Sequence, residues 1–320
     1  MRDARVIGAV TFTVLAWASA FVAIRAAGRD FSPGALAFGR LTIGALVLGL
    51  LVLARRRWLA PNRREWLLIA LCGLTRFAAY NVVLNAAEQR IDAGTTAMLV
   101  GVGPILIALL AGALLGEGFP RRLLIGAGVA FLGAILVGLG TRPGGSVDVA
   151  GVLLALAAAV TYAVGVLTQK PVLRRLPALQ VTFLTCTVGA LACLPFVGSL
   201  IAEVPAAQPA GLAGLIYLGV VPMALAFLTW GYALARMDAG RLGVTTYLVP
   251  PITIVMSAML LAEWPPPLAV AGGVICLIGV GLTRRPSGPT TARTGRSPAP
   301  DPPARDPGQR SATVTSAPGS

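Results

Sequence analysis

One apolar stretch holds the side chains best suited to recognition chemistry. Residues 66–90 read WLLIALCGLTRFAAYNVVLNAAEQR and include Arg76, Tyr80, Asn81, Asn85 and Glu88. At helical spacing Asn81, Asn85 and Glu88 share one stripe, with Arg76 and Tyr80 on an adjacent one. Arginine keeps its charge at any working pH, and its planar fork suits a carboxylate or phosphate. The chemistry this predicts is the holding of an anionic or zwitterionic small molecule. The competing reading satisfies Arg76 with helix carbonyls or water. A second arginine, Arg40, sits in the apolar run 33–53, where pairing with Glu88 or Asp92 is the plainer alternative.

The elements that must position these residues are membrane helices. The chain has 320 residues, 56% hydrophobic and 12% charged, against about a quarter charged in soluble domains. Apolar runs near twenty residues recur, each long enough to cross roughly 30 Å of hydrocarbon as a helix. The predicted spans are 6–25, 33–53, 66–87, 93–115, 121–140, 149–168, 180–200, 210–235, 240–262 and 266–283. At a rise of 1.5 Å per residue, Arg76 is about 15 Å into its span and Arg40 about 10 Å into its own. A charge at such depth costs about 2.5–3.5 kcal/mol on insertion scales and by default marks a functional interior. The fold class expected is an all-α polytopic membrane protein.

Basic residues favour cytoplasmic loops. They cluster at Arg2 and Arg5, at 55–57 and 63–64, at Arg121 and Arg122, from Lys170 to Arg175, at Arg236 and Arg241, and from Arg284 onward. The other side carries Arg25, Arg29, Arg90 and Arg142. Both termini are thus expected in the cytoplasm of a bacterial cell. The net charge of +14 is loop and tail charge that sets topology, and no compact basic domain exists to bind nucleic acid. Cys72, Cys186, Cys193 and Cys276 all fall inside spans and read as small apolar residues. The chain has no histidine for a metal centre and no GxxxxGK[ST] loop for nucleotide, so no cofactor is expected. Residues 286–320 are rich in Pro, Ser, Thr, Gly and Arg and read as a disordered tail.

A sparse pattern is written twice. IDAGTTAMLVGVGPILIALLAGALLGE at 91–117 and MDAGRLGVTTYLVPPITIVMSAMLLAE at 237–263 share Asp-Ala-Gly, a proline and a glutamate at fixed spacing. An offset of 146 aligns Asp92 with Asp238, Gly94 with Gly240, Pro104 with Pro250, Glu117 with Glu263, Gly126 with Gly272 and Gly133 with Gly279. Shared composition does not produce that order. The expected units are a first repeat over 1–145 and a second over 146–285. Five spans per repeat is odd, so the second copy enters the membrane inverted, a basis for alternating access. Pro104 and Pro250 each remove a backbone hydrogen bond, predicting mid-helix kinks or breaks that act in gating. Gly8, Gly101, Gly103, Gly112, Gly116, Gly126 and Gly133 read as close-packing positions.

These units resemble EamA-type repeats of the drug/metabolite transporter superfamily in its ten-helix form, over residues 6–283. DAG…P…LLGE and DAG…P…LLAE carry the likeness, with Trp17, Ser19 and Arg40 fitting the family's habits. The resemblance implies a carrier of metabolites, amino acids or drug-like compounds, commonly outward. It also implies that helices 1–4 and 6–9 surround a cavity while helices 5 and 10 are peripheral. Beside Arg76, Tyr80, Asn81, Asn85, Glu88 and Arg40, the cavity candidates are Trp17, Tyr162, Trp230 and Tyr247, with Gln169 and Tyr232 comparable. The expected partners are a small-molecule substrate and the bilayer, and a homodimer stays open. No acid lies deep in a span, Glu88 being the nearest, so proton coupling, facilitated transport and exchange all stay open. A membrane scaffold would not need the polar stripe on the third span. A membrane enzyme would need an acid cluster or nucleophile that the sequence does not supply.

Overall fold

The computed structural model describes residues 2–114, 121–140, 148–234 and 245–282. Glu117, Asp238, Gly240, Gly116, Arg142, Arg236, Arg241 and the tail from Arg284 lie outside them. The described residues are mostly helical, with no strand among them.

The described residues form ten apolar segments. α1 is Arg2–Ala27, α2 Pro33–Arg55 and α3 spans Arg63–Glu88. α4 runs as Ala93–Val100 and Gly103–Leu114, broken at Gly101 and Val102, and α5 is Arg121–Gly140. α6 is Val149–Val172, and α7 runs from Ala178–Ala192 into Leu194–Ala206 across a 53° bend. α8 covers 209–234, α9 is Val249–Leu261 after a 3-10 turn at Thr246–Leu248, and α10 is Pro267–Leu282. Five segments are long and apolar enough to span a membrane, six counting bent α7, and α4, α5, α9 and α10 include shorter apolar helices. These are the ten expected segments, most with ends shifted by a few residues.

Local chemistry explains where they begin. Asn62 and Glu65 close a capping box, Glu65 N–H donating to Asn62 Oδ1 at 2.9 Å and Asn62 N–H to Glu65 Oε2 at 2.8 Å. Asp92 caps α4 by accepting from Thr95 N–H at 2.8 Å. Asp148 caps α6 through Gly151 N–H at 2.7 Å, and that bond with Arg90 holds its carboxyl below the ordinary value. Pro33, Pro209 and Pro250 occupy first turns, where their missing N–H costs nothing. Pro250 is therefore not a mid-helix kink. It sits where the 3-10 turn passes into α9. Pro104 does mark a break, but at the second position of the new segment, where its ring meets no preceding helical turn.

The two halves interdigitate. α1 packs on α8 and α9, and its counterpart α6 packs on α3 and α4. α2 lies against α7 and α8, the Ala93–Val100 part of α4 meets α9, and α5 pairs with α10. The α5–α10 seam runs backbone to backbone. A Cβ at Gly133 would come within 2.6 Å of the Gly272 carbonyl, and one at Gly279 within 2.6 Å of the Gly126 carbonyl. The four glycines that matched at an offset of 146 thus meet crosswise, Gly133 at Gly272 and Gly126 at Gly279. Gly8 has open space around it and is not a close-packing position.

The two-fold relation also appears in helix type. Gly73–Ala79 in α3 and Gly219–Leu225 in α8 are both π-helical, 146 residues apart at each end (73 to 219, 79 to 225). π-turns are rare and concentrate at functional sites.

Ties close the molecule at both ends. At one, Arg25 Nε donates to Glu263 at 3.1 Å and Arg25 Nη1 to the Glu88 carbonyl at 2.5 Å. Gln89 Nε2 reaches the carbonyls of Gly28 and Phe31, and Arg90 pairs with Asp148. Ala262 turns the chain into Glu263 in a left-handed conformation, φ 55°, which costs a non-glycine residue about 1–2 kcal/mol. At the other end Arg175 holds Glu65 and the Ala60 carbonyl, while Gln180 donates to Leu59 O at 2.6 Å.

Candidate functional site

A cavity of about 150 Å³ lies at mid-depth between the halves. That is roughly an order of magnitude more than one water needs. Its walls come from α1, α2, α3, α4, α6, α8 and the start of α9. α5 and α10 contribute nothing to it, as the resemblance implied. α7 contributes nothing either, because it stands behind α2 and α3.

Arg76 is near the centre of α3, inside its π-turn, and is 8% exposed. Its guanidinium carbon lies 4.8 Å from the Tyr162 ring centroid and 5.1 Å from that of Phe227. Two aromatic faces thus flank one cation, an arrangement worth about 0.5–2 kcal/mol per face when desolvated. Nη1 donates to Gln169 Oε1 at 3.3 Å, and Nε has no partner among the described residues. Gly165 makes the approach possible, since a Cβ there would collide with the Arg76 Cβ. The helix-carbonyl reading of Arg76 is not what the structure shows. The side chain is held by a glutamine and two rings.

Arg40 also lines the cavity and is 4% exposed, with Nε and Nη1 lacking partners. It makes no ion pair with Glu88 or Asp92. Asp92 is occupied as a helix cap, and the ion pairs among the described residues are Arg25–Glu263, Arg90–Asp148 and Arg175–Glu65.

Trp17, Tyr80, Asn81, Tyr162, Tyr247, Pro104 and Pro250 are in the walls as well. Asn81 donates to its own helix at Phe77 O, 2.6 Å, leaving Oδ1 without a partner. Trp17 stands edge-on to Phe227 at 5.7 Å, and Tyr80 packs near Tyr162 at 5.9 Å.

Three candidates lie elsewhere. Asn85 is fully buried and donates to Pro33 O, tying α3 to α2. Glu88 is fully buried at the end of α3, outside the cavity walls. Trp230 is one layer back, 4.9 Å from Trp17. Along α3 the cavity face carries Arg76, Phe77, Tyr80, Asn81 and Leu84. Asn85 and Glu88 keep regular α-helical spacing to Asn81, but Asn85 is turned to α2 and Glu88 lies in the last turn, past the cavity.

Sequence reasoning missed Phe77, Phe227, Met223 and Pro222. The signal was present in the repeat. At an offset of 146, Arg76 maps to Pro222, Phe77 to Met223 and Asn81 to Phe227, and all six line the cavity.

A helical membrane protein with two interlocked repeats and a buried, cationic, aromatic cavity between them is built as a transporter. The chain belongs to the EamA-like transporter family, whose profile matches residues 5–139 and again 149–285. It is 35% identical over 287 residues to a "Probable terminal-alkyne amino-acid exporter" of Streptantibioticus cattleyicolor, covering 89% of this chain and 95% of that one. It is 28% identical to an "Uncharacterized transporter" of Bacillus subtilis, covering 83% of this chain and 87% of the relative. A "Probable amino-acid metabolite efflux pump" of Salmonella typhimurium is 25% identical, over 65% of this chain and 73% of its own length. A solved structure titled only "Crystal structure of protein" shares the fold, with a TM-score of 0.61 at 23% identity over 88% of this chain and 96% of the other.

Proposed function

We propose that this chain is a secondary carrier that exports small carboxylate-bearing metabolites across the bacterial cell membrane by alternating access, with both termini in the cytoplasm. The observation that carries the reading is Arg76, a desolvated cation at mid-membrane in a cavity between inverted repeats. The names of the relatives in Streptantibioticus and Salmonella favour export and cargo of amino-acid type. In this topology the Arg25–Glu263 end faces outward, so the conformation described is closed to the outside. The repeat units run over 1–145 and 146–285. Residues 286–320 lie outside the transport unit.

The test is reconstitution of wild type and Arg76→Gln in liposomes with a pooled panel of amino acids and organic acids. Cargo moved by wild type should drop about tenfold or more in the variant, the loss of one charge-assisted contact of about 1.5–3 kcal/mol. The melting temperature should stay close to wild type. Unchanged transport by Arg76→Gln removes Arg76 as the anchor. Wild-type protein that is folded and moves nothing in a broad panel returns the chain to the scaffold class.

A further inference from the structure

The cavity walls hold two guanidinium groups and, among the described residues, no carboxylate. Both arginines are more than nine-tenths buried, and three of their nitrogens, Arg40 Nε and Nη1 and Arg76 Nε, make no hydrogen bond. Every described ion pair lies near a helix end, leaving this double charge unneutralised. On the acceptor side the inventory is thin. The acceptor side chains of Asn81, Tyr80 and Tyr162 in the wall are all neutral. An ammonium group brings three donors and its own positive charge, so a zwitterion meets neutral acceptors and two repelling cations. A carboxylate without an ammonium meets two guanidinium groups that no acid neutralises by an ion pair. The rest of the wall, with Phe21, Leu84, Met223 and Trp17, takes an apolar body.

We infer that the cargo is a net organic anion with an apolar body, bound by Arg40 and Arg76 together, and that its export is electrogenic uniport driven by the membrane potential. The inference rests on the carrier reading above and departs from it in one respect, ranking an amino acid below the acid that lacks its ammonium group. Over one complete cycle the protein returns to its starting state, so the fixed arginines cancel and the charge that crosses is the cargo's. A membrane negative inside then expels a monovalent anion, sustaining a gradient of about fifty-fold per 100 mV. No nucleotide site and no titrating acid in the cavity are needed for that work.

The experiment uses full-length protein in proteoliposomes, with a valinomycin-clamped potassium potential of either sign. The probes are 4-methyl-2-oxopentanoate and leucine, which share one apolar body and differ by the ammonium group. The expected result is flux of the oxo acid that rises several-fold when the potential pulls anions across and falls when its sign is reversed, with leucine slower by about tenfold. Arg40→Gln should lose most of the oxo-acid flux while Arg40→Lys keeps part, melting traces reporting that both are folded. Leucine moving as fast as the oxo acid, or oxo-acid flux blind to the potential, overturns the inference and leaves the carrier standing. Movement of neither probe also overturns it. If the pooled panel of the Arg76 experiment is unmoved as well, the carrier reading falls with it.

Discussion

Arg76 shows how a charge is kept deep in an apolar protein without an acid beside it. Gln169 takes one nitrogen, and the faces of Tyr162 and Phe227 solvate the cation from two sides. None of these partners neutralises it, so the charge stays available to a cargo. A neighbouring carboxylate would have stabilised the resting protein and competed with an anionic ligand. The rings should therefore matter to affinity more than to folding. Tyr162→Leu keeps the apolar bulk and removes one face, an effect of about 0.5–2 kcal/mol. The half-saturating concentration of transported cargo should rise by between about twofold and thirtyfold, with the maximal rate changed less. A loss of maximal rate at unchanged half-saturation would show that Tyr162 serves a conformational step instead.

At the scale of elements, the repeat explains what was legible and what was not. Apolar run length gave all ten segments, and the 146-residue offset picked out the glycines of the α5–α10 seam and both prolines, though not that α5 and α10 pack on each other. The offset could not announce the π-turns, because a π-turn has no strong residue signature and depends on the packing around it. Arg76, Tyr80 and Asn81 line the cavity, while Asn85 and Glu88 are buried outside its walls, Asn85 against α2 and Glu88 in the last turn of α3. Pro250, like Pro104, falls at the second position of a new segment and not in mid-helix. An apolar run shows where a segment lies but not where its 3-10 turn gives way to α-helix. The same scale holds the tie at the Arg25 end. Arg25 on α1 grips Glu263 beyond α9 and the carbonyl at the end of α3, joining both repeats. Arg25→Ala should shift the population toward the outward-open state. In a cysteine-free background with Leu84→Cys, a cavity-wall position, labelling by an impermeant thiol reagent from outside should speed up several-fold. An unchanged labelling rate would mean that other contacts close this end.

The whole molecule is held together across its repeats more than within them. α1 finds its main partners in α8 and α9, and α6 finds its own in α3 and α4. The core obeys the same rule. Val14, Phe21 and Ile24 of α1 share one buried cluster with Leu215 and Leu218 of α8 and Val249 of α9. A repeat expressed alone would present these faces to lipid and leave groups such as Arg25, whose partner Glu263 belongs to the other repeat, unpaired in the membrane. Interlocking of this kind lets one repeat rock against the other around a fixed central site. It also predicts how the chain tolerates being cut. Severed between residues 140 and 148, the two fragments should assemble when co-expressed, co-purify through a tag on either one, and recover a substantial part of wild-type transport. Each fragment expressed singly should be degraded or aggregate. A first fragment that purifies alone as a stable, monodisperse species would show that the repeats are independent folding units, and rocking would then have to be argued from a far weaker interface.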